Sequence, residues 1–174
     1  PMDITQNCDV FVEVSGLLKA LAVDIIKIAN DLRLMNAEFL GEIRLAPMQK
    51  GSSAMPAKVN PVIAEAAVQA SIKAISNDTA ITYAASIGNF ELNAFLPLIA
   101  DSLIDSLKIL YEAVSLFTSK CVKTLSANVE ACRYHLDKSR AYAMKYVTDI
   151  GYEAVEKLIS ESGGDKDKFI LLAE

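Results

Sequence analysis

Residues 8–34 read CDVFVEVSGLLKALAVDIIKIANDLRL. Within them Val14, Leu18, Leu21, Ile25, Ile28 and Leu32 recur at alternating spacings of four and three. That is a heptad, and a helix that keeps it lies nearly parallel to its neighbours in a left-handed bundle. Val23 and Ile26 add apolar surface beside the seam, so this helix is expected to be surrounded by several others. The signature returns downstream. Ala100, Leu103, Leu107, Leu110, Val114, Phe117 and Cys121 repeat at three and four, which predicts a second long helix over 90–125 with a bend at Pro97. Two long seams of shared period predict an all-α fold built on a long-helix bundle.

Between the seams lies a connector, 35–60, containing Gly41, Pro47, Gly51, Ser52, Ser53 and Pro56. Long irregular segments in compact proteins are usually functional or disordered. A further helix is expected from Pro61, with Asn60 as N-cap and the proline at N1, where its missing N–H is harmless. Its alanine-rich start, 64–74, allows close helix approach. Asn77-Asp78 and Gly88-Asn89 read as weak points or breaks. The chain becomes more polar near Ser126, which divides it into a bundle over 1–125 and a small helical C-terminal subdomain over 126–174. The second part is expected to hold helices at 128–137, 139–147 and 152–162, the last closed by Gly163-Gly164. The apolar run 169–172 has no evident partner.

Composition narrows the function. Of 174 residues, 52% are hydrophobic and 22% charged, which excludes a disordered or fibrous chain. Seven glycines and five prolines are few for this length and favour helix. A net charge of −5 and a pI near 5.0 leave no basic patch for nucleic acid or an anionic membrane. Mean hydropathy is +0.29, yet charges interrupt every apolar stretch before the ~18 residues a membrane span needs. No signal peptide precedes the first helix. Cys8, Cys121 and Cys132 are odd in number and widely spaced, so they read as reduced, buried residues of a cytoplasmic protein, neither disulfide-bonded nor metal-binding. His135 stands alone, which excludes a histidine-rich metal centre, and reads as a partly exposed structural residue. No metal or cofactor is expected.

Residues 51–61 read GSSAMPAKVNP. A flexible Gly-Ser-Ser turn is followed by Lys58 and by Asn60 at a helix N-terminus. Orphan backbone N–H groups at that terminus form an anion site. With a full charge from Lys58 and an amide from Asn60, the set suits a small carboxylate better than a phosphate, which calls for more glycines. Taken singly, these residues read as linker, solvated lysine and cap. The combination is out of the ordinary.

Gly51, Ser52, Ser53, Met55, Pro56, Lys58, Asn60 and Pro61 meet every specified position of G-S-S-x-M-P-x-K-x-N-P. The string resembles the hallmark loop of the aspartase/fumarase superfamily of lyases. The flanks resemble the same family: Ile28 to Arg33, Asn77-Asp78, Gly88 to Asn93, and Gly151-Tyr152. The resemblance implies removal of a proton beside a carboxylate, then loss of ammonia or water from the neighbouring carbon. The charge developing on the carboxylate needs preorganised donors. By motif position Ser52 would be the general base, held as an oxyanion by backbone donors of Gly51 and Ser53 in a mobile loop at 47–60. Ser53, Lys58 and Asn60 would bind a small dicarboxylate, and closure of the loop would exclude water. Met55 would pack the loop. Glu65 is either the family's glutamate that orients a histidine from elsewhere or an acid favoured by the helix dipole. Asn30 to Leu34, Ala57 and Pro61-Val62 favour elimination of ammonia from L-aspartate. Gly88 to Asn93 is closer to the enzymes that eliminate water from L-malate. A non-catalytic helical association module is the reading from a different class.

Family members run to several hundred residues, so the chain is expected to be a fragment with the N-terminal domain absent. Their sites are assembled from three subunits of a homotetramer. The 174 residues would then present Ser52, Lys58 and Asn60 without completing a site. Where the family usually carries S-G-P-R before the loop, this chain reads Met35-Asn36-Ala37-Glu38-Phe39-Leu40.

Overall fold

The structure, a computed structural model, describes residues 2–49, Met55 and 58–173. Among these, helices α1 (Met2–Gln6) and α2 (Asp9–Met35) precede a two-residue strand, β1 (Ile43–Arg44). Then come α3 (Val62–Ser86), α4 (Leu96–Lys120) and β2 (Ser126–Ala127). Helices α5 (Val129–Lys138), α6 (Met144–Ile150), α7 (Tyr152–Ser162) and α8 (Lys166–Ala173) complete the order. Two compact units result. The first takes the chain up to Phe39 and then Ile43–Ser126; the second takes Leu40–Glu42 and the residues from Ala127 onward.

In the first unit α3 is the middle helix, packed against both α2 and α4. Its buried face carries Ala64, Ala67, Ser71, Ala74, Asp78 and Ile81 at spacings of three and four. Such small side chains let neighbouring backbones approach closely. That approach selects small residues on the partner too. On α2 the buried residues are Ser15, Ala22, Ile25 and Ala29, with Leu18 and Leu32 partly buried against the same core. The inward seam is therefore 15-18-22-25-29-32, a heptad offset from the anticipated one. Val14, Leu21 and Ile28 are exposed instead. On α4 Leu110 and Phe117 are buried and Leu103 and Val114 partly so, with Cys121 buried just past the helix end. Leu107 is exposed, and Ser102 and Ser106 are buried in its place.

Two local expectations are corrected. Asn77-Asp78 does not break α3, because both side chains are buried and hydrogen-bonded to neighbouring helices. Pro97 does not bend a helix. It lies in the first turn of α4, where no N–H is needed. Residues 87–95 form a tight connection, with Phe90 at φ 50° and an antiparallel bridge between Asn89 and Leu92. Buried Asn93 ties this connection together. Its Nδ2 donates to the carbonyls of Ala84 (3.0 Å) and Ala85 (3.2 Å), and its Oδ1 accepts from the N–H of Phe95 (2.8 Å).

The second unit has its own core of Tyr142, Ala143, Val155 and Phe169. Phe169 is fully buried and meets Tyr142 and Tyr146 edge-on, with ring centres 5.4 and 5.3 Å away. The apolar C-terminal run is thus not wholly without a partner: Phe169 plugs this core, while Leu171 and Leu172 are exposed. The helix expected over 139–147 is a 3-10 turn, Arg140–Ala143, followed by α6. Gly151 (φ 84°) stands between α6 and α7, and Gly163, left-handed at φ 65°, caps α7. Residues 40–42 are stitched to α5. Asn128 donates from its N–H to Glu42 (2.8 Å) and from Nδ2 to Gly41 (2.9 Å). His135 Nε2 lies 3.0 Å from the Leu40 carbonyl, a geometry that uses the Nε2–H tautomer as donor. Cys132 is exposed, not buried as anticipated, although its Sγ donates to the Glu42 carbonyl (3.4 Å), whereas Cys8 and Cys121 are buried. No helix among the described residues is long and apolar enough to cross a membrane.

Candidate functional site

The end of α2 and the start of α3 flank a cavity of about 370 Å³. Arg33, Asn36, Glu38, Lys58, Asn60 and Glu65 supply its polar lining, and Met55 lines it too. Gly51, Ser52 and Ser53, the anticipated base and its donors, lie outside the described residues.

Each described side chain is placed by a local rule. Asn36 follows the last turn of α2, its N–H bonded to the Leu32 carbonyl (3.0 Å). Its Oδ1 accepts from the N–H of Leu45 (2.9 Å), which turns the departing chain back. The Lys58 N–H bonds to the Met55 carbonyl (3.3 Å). Pro61 then has φ −79° and ψ 60°, and the Val62 N–H bonds to the Asn60 carbonyl (2.9 Å). This is an inverse γ-turn, to which the fixed φ of proline is suited. The cap position therefore falls on Pro61, not Asn60, and the helix starts one residue later than expected. Among the described residues no side-chain hydrogen bond engages Asn60, so its amide remains available to the cavity.

Electrostatically the cavity is mixed. Lys58 is exposed and has no ion-pair partner among the described residues. Arg33 does: Nη2 lies 3.5 Å from Glu65 Oε1, and Nη1 donates to Asn30 Oδ1 at 2.9 Å. Its Nε is buried and has no hydrogen-bond partner. Met55, expected to pack the loop, is exposed. Among the described residues the arrangement can offer an anion one uncommitted cation, Lys58, and the uncommitted amide donors of Asn60 and Asn36. Arg33 and Asn36 were missed as site residues in the sequence. The signal was there, because Arg33 ends the Asn-Asp-Leu-Arg segment whose resemblance was noted only as a flank.

The family model described as Lyase matches residues 1–76. Fumarate hydratase class II of Corynebacterium efficiens is 41% identical over 155 residues, covering 87% of this chain and 33% of that protein. Aspartate ammonia-lyase of Bacillus sp is 40% identical over 164 residues, covering 92% and 35%. The chain belongs to the aspartase/fumarase superfamily of lyases. A crystal structure of recombinant class II fumarase from Schistosoma mansoni superposes with a TM-score of 0.88 at 29% identity, over 98% of this chain and 37% of that one. The chain thus spans about a third of the length of the superfamily relatives it matches. Relatives with both names are almost equally similar, so kinship establishes the superfamily and leaves the reaction open.

Proposed function

We propose that the chain supplies the base-bearing and carboxylate-holding segment of a carbon–nitrogen lyase that reversibly eliminates ammonia from L-aspartate to give fumarate. The observation that carries this reading is the cavity shared by Lys58, Asn60 and Glu65, the first two belonging to the same sequence motif as Ser52. Ser52 is the general base that takes the proton next to the carboxylate. Lys58 and Asn60, with Ser53, hold that carboxylate, whose negative charge grows as the proton leaves. Donors already in place stabilise this charge more than they stabilise the ground state. The remaining groups of the site come from other subunits of a cytoplasmic homotetramer. Neither metal nor cofactor takes part.

Elimination of water from L-malate is the second reading. It is favoured by Gly88 to Asn93. Both readings are tested by following fumarate by its ultraviolet absorbance with each substrate in turn. The assay uses two hybrids that complete the site, the Bacillus aspartate ammonia-lyase and the Corynebacterium efficiens fumarate hydratase, each with its matching segment replaced by this chain. Substrate choice is read from which hybrid turns over its own substrate, and the active hybrid tests the base. Ser52→Ala is expected to remove most turnover while helix content is unchanged. An unchanged rate would overturn the base assignment, and turnover of L-malate alone would establish the second reading.

A further inference from the structure

Arg33 is the feature of the site that the proposed chemistry leaves unexplained. It stands in the last turn of α2, 32 positions before Glu65 in the first turn of α3. The guanidinium spans the gap between the two helices. Its Nη1 is held by Asn30 Oδ1 at 2.9 Å, one turn back on the same helix. Its Nε is buried, with no hydrogen-bond partner among the described residues. Nη2 lies 3.5 Å from Glu65 Oε1. Both residues line the cavity that holds Lys58 and Asn60.

A surface ion pair of this kind contributes little stability, since both side chains are about a third exposed, at 39% and 34%. Its effect lies in orientation. Glutamate has three side-chain torsions and, in the first turn of a helix, could swing to several places. The planar guanidinium fork selects one of them. Without it the carboxylate would be drawn to the uncommitted ammonium of Lys58, and the group meant for a substrate carboxylate would be neutralised.

We propose that Arg33 is a positioning residue: braced by Asn30, it holds the Glu65 carboxylate at the cavity wall and away from Lys58. The role rests on the lyase reading above and adds to it a residue outside the Gly-Ser-Ser motif.

The first test uses the 174-residue chain as it is. Carbon NMR of the glutamate side-chain carboxylates, with Glu65→Gln assigning the resonance, reads the environment of Glu65 directly. Arg33→Met is expected to shift that resonance, and Arg33→Lys to restore most of it. A Glu65 resonance unmoved by Arg33→Met would overturn the proposal. The second test is kinetic, in the active hybrid lyase. Arg33→Met is expected to lower kcat on the order of 10²-fold with KM changed far less, the scale that misplacement of a site group produces. Glu65→Gln should cost as much, and the double variant no more than either single one. Additive losses, or full activity in Arg33→Met while Ser52→Ala is inactive, would overturn the role of Arg33 alone. Activity retained in Ser52→Ala would instead overturn the base assignment, and a hybrid that turns over neither L-aspartate nor L-malate would overturn the lyase reading itself.

Discussion

Ser15 Oγ donates a 2.8 Å hydrogen bond to Asp78 Oδ1, joining α2 to the middle of α3 inside the bundle. Lys19 Nζ takes the other oxygen, Oδ2, at 2.6 Å. Asp78 is almost fully buried, whereas Lys19 reaches it from the surface. One residue earlier, Asn77 makes the matching link to α4, through Asp105 Oδ2 at 2.8 Å and Ser106 Oγ at 3.1 Å. The pair thus locks the middle helix to both neighbours at one level. Removing Asp78 leaves Ser15 and Lys19 without their acceptor. Asp78→Ala should lower stability by about 2 kcal/mol, the scale of hydrogen bonds to a buried charged group. Ser15→Ala should cost about 1 kcal/mol. Urea unfolding followed by circular dichroism measures both. A loss for Asp78→Ala no larger than that for Ser15→Ala would mean that the charge is not part of the lock.

Asn93 makes the α3–α4 connection sensitive to a single atom. An added methyl at Gly88 would sit 3.2 Å from Asn93 Cβ and Nδ2, so the asparagine would have to move. Asn93→Ala should cost about 2 kcal/mol, because its partners are left buried and unpaired. Gly88→Ala should cost about 1 kcal/mol through crowding. The two share one contact, so the double variant should lose less than the sum of the singles. Full additivity in thermal melts would refute the crowding argument.

These two relationships also mark the limit of what the residues alone disclosed. The heptad period of α2 and α4 was legible, and with it the helical bundle. Its phase on α2 was not. Leu and Ile dominate a hydrophobic pattern, whereas the helix that packs here is lined by alanine and serine, so Ser15, Ala22 and Ala29 face inward. Asn77-Asp78 read as a break because its partners come from α2 and α4, which no local pattern reveals. Pro97 fits a bend and a helix start equally well by sequence, and only the turn at Asn93 decides. At the site, Lys58, Asn60 and Glu65 were legible because their spacing is local. Arg33 was not singled out, since its meaning depends on a partner 32 residues away.

The thiols provide a chemical test of burial. Cys132 is exposed, while Cys8 and Cys121 are each 2% exposed. Burial pushes the Cys121 thiol above its ordinary range, and the thiolate is the reactive form. An aromatic disulfide reagent at neutral pH should titrate one thiol quickly and two more only after denaturation. Three fast thiols would contradict the packing of α3 against α4.

Cys121 also predicts a pH dependence. Its raised value means the native state keeps the proton longer than the unfolded chain does. The associated stability is complete below the ordinary thiol range, about 8.5, and is lost as pH rises beyond it. The urea midpoint should therefore fall above that pH, and fall less in Cys121→Val. Equal slopes in the two proteins would exclude the thiol as the cause.

The residues expelled from the α2 seam form a stripe of their own. Val10, Val14, Leu17, Leu21 and Ile28 are all exposed and follow the same heptad period, with Leu17 69% exposed. A water-facing heptad stripe on a 27-residue helix is unfavourable for an isolated molecule, and another helix would cover it. The proposed homotetramer supplies such helices by symmetry. Light scattering on the purified chain should therefore give a mass above the 18.8 kDa of one copy. Leu17→Asp combined with Leu21→Asp should shift it toward one copy without loss of helical circular dichroism, because neither side chain belongs to the inner seam. A wild-type chain that stays at one copy at every concentration tested would remove self-association as the reason for the stripe.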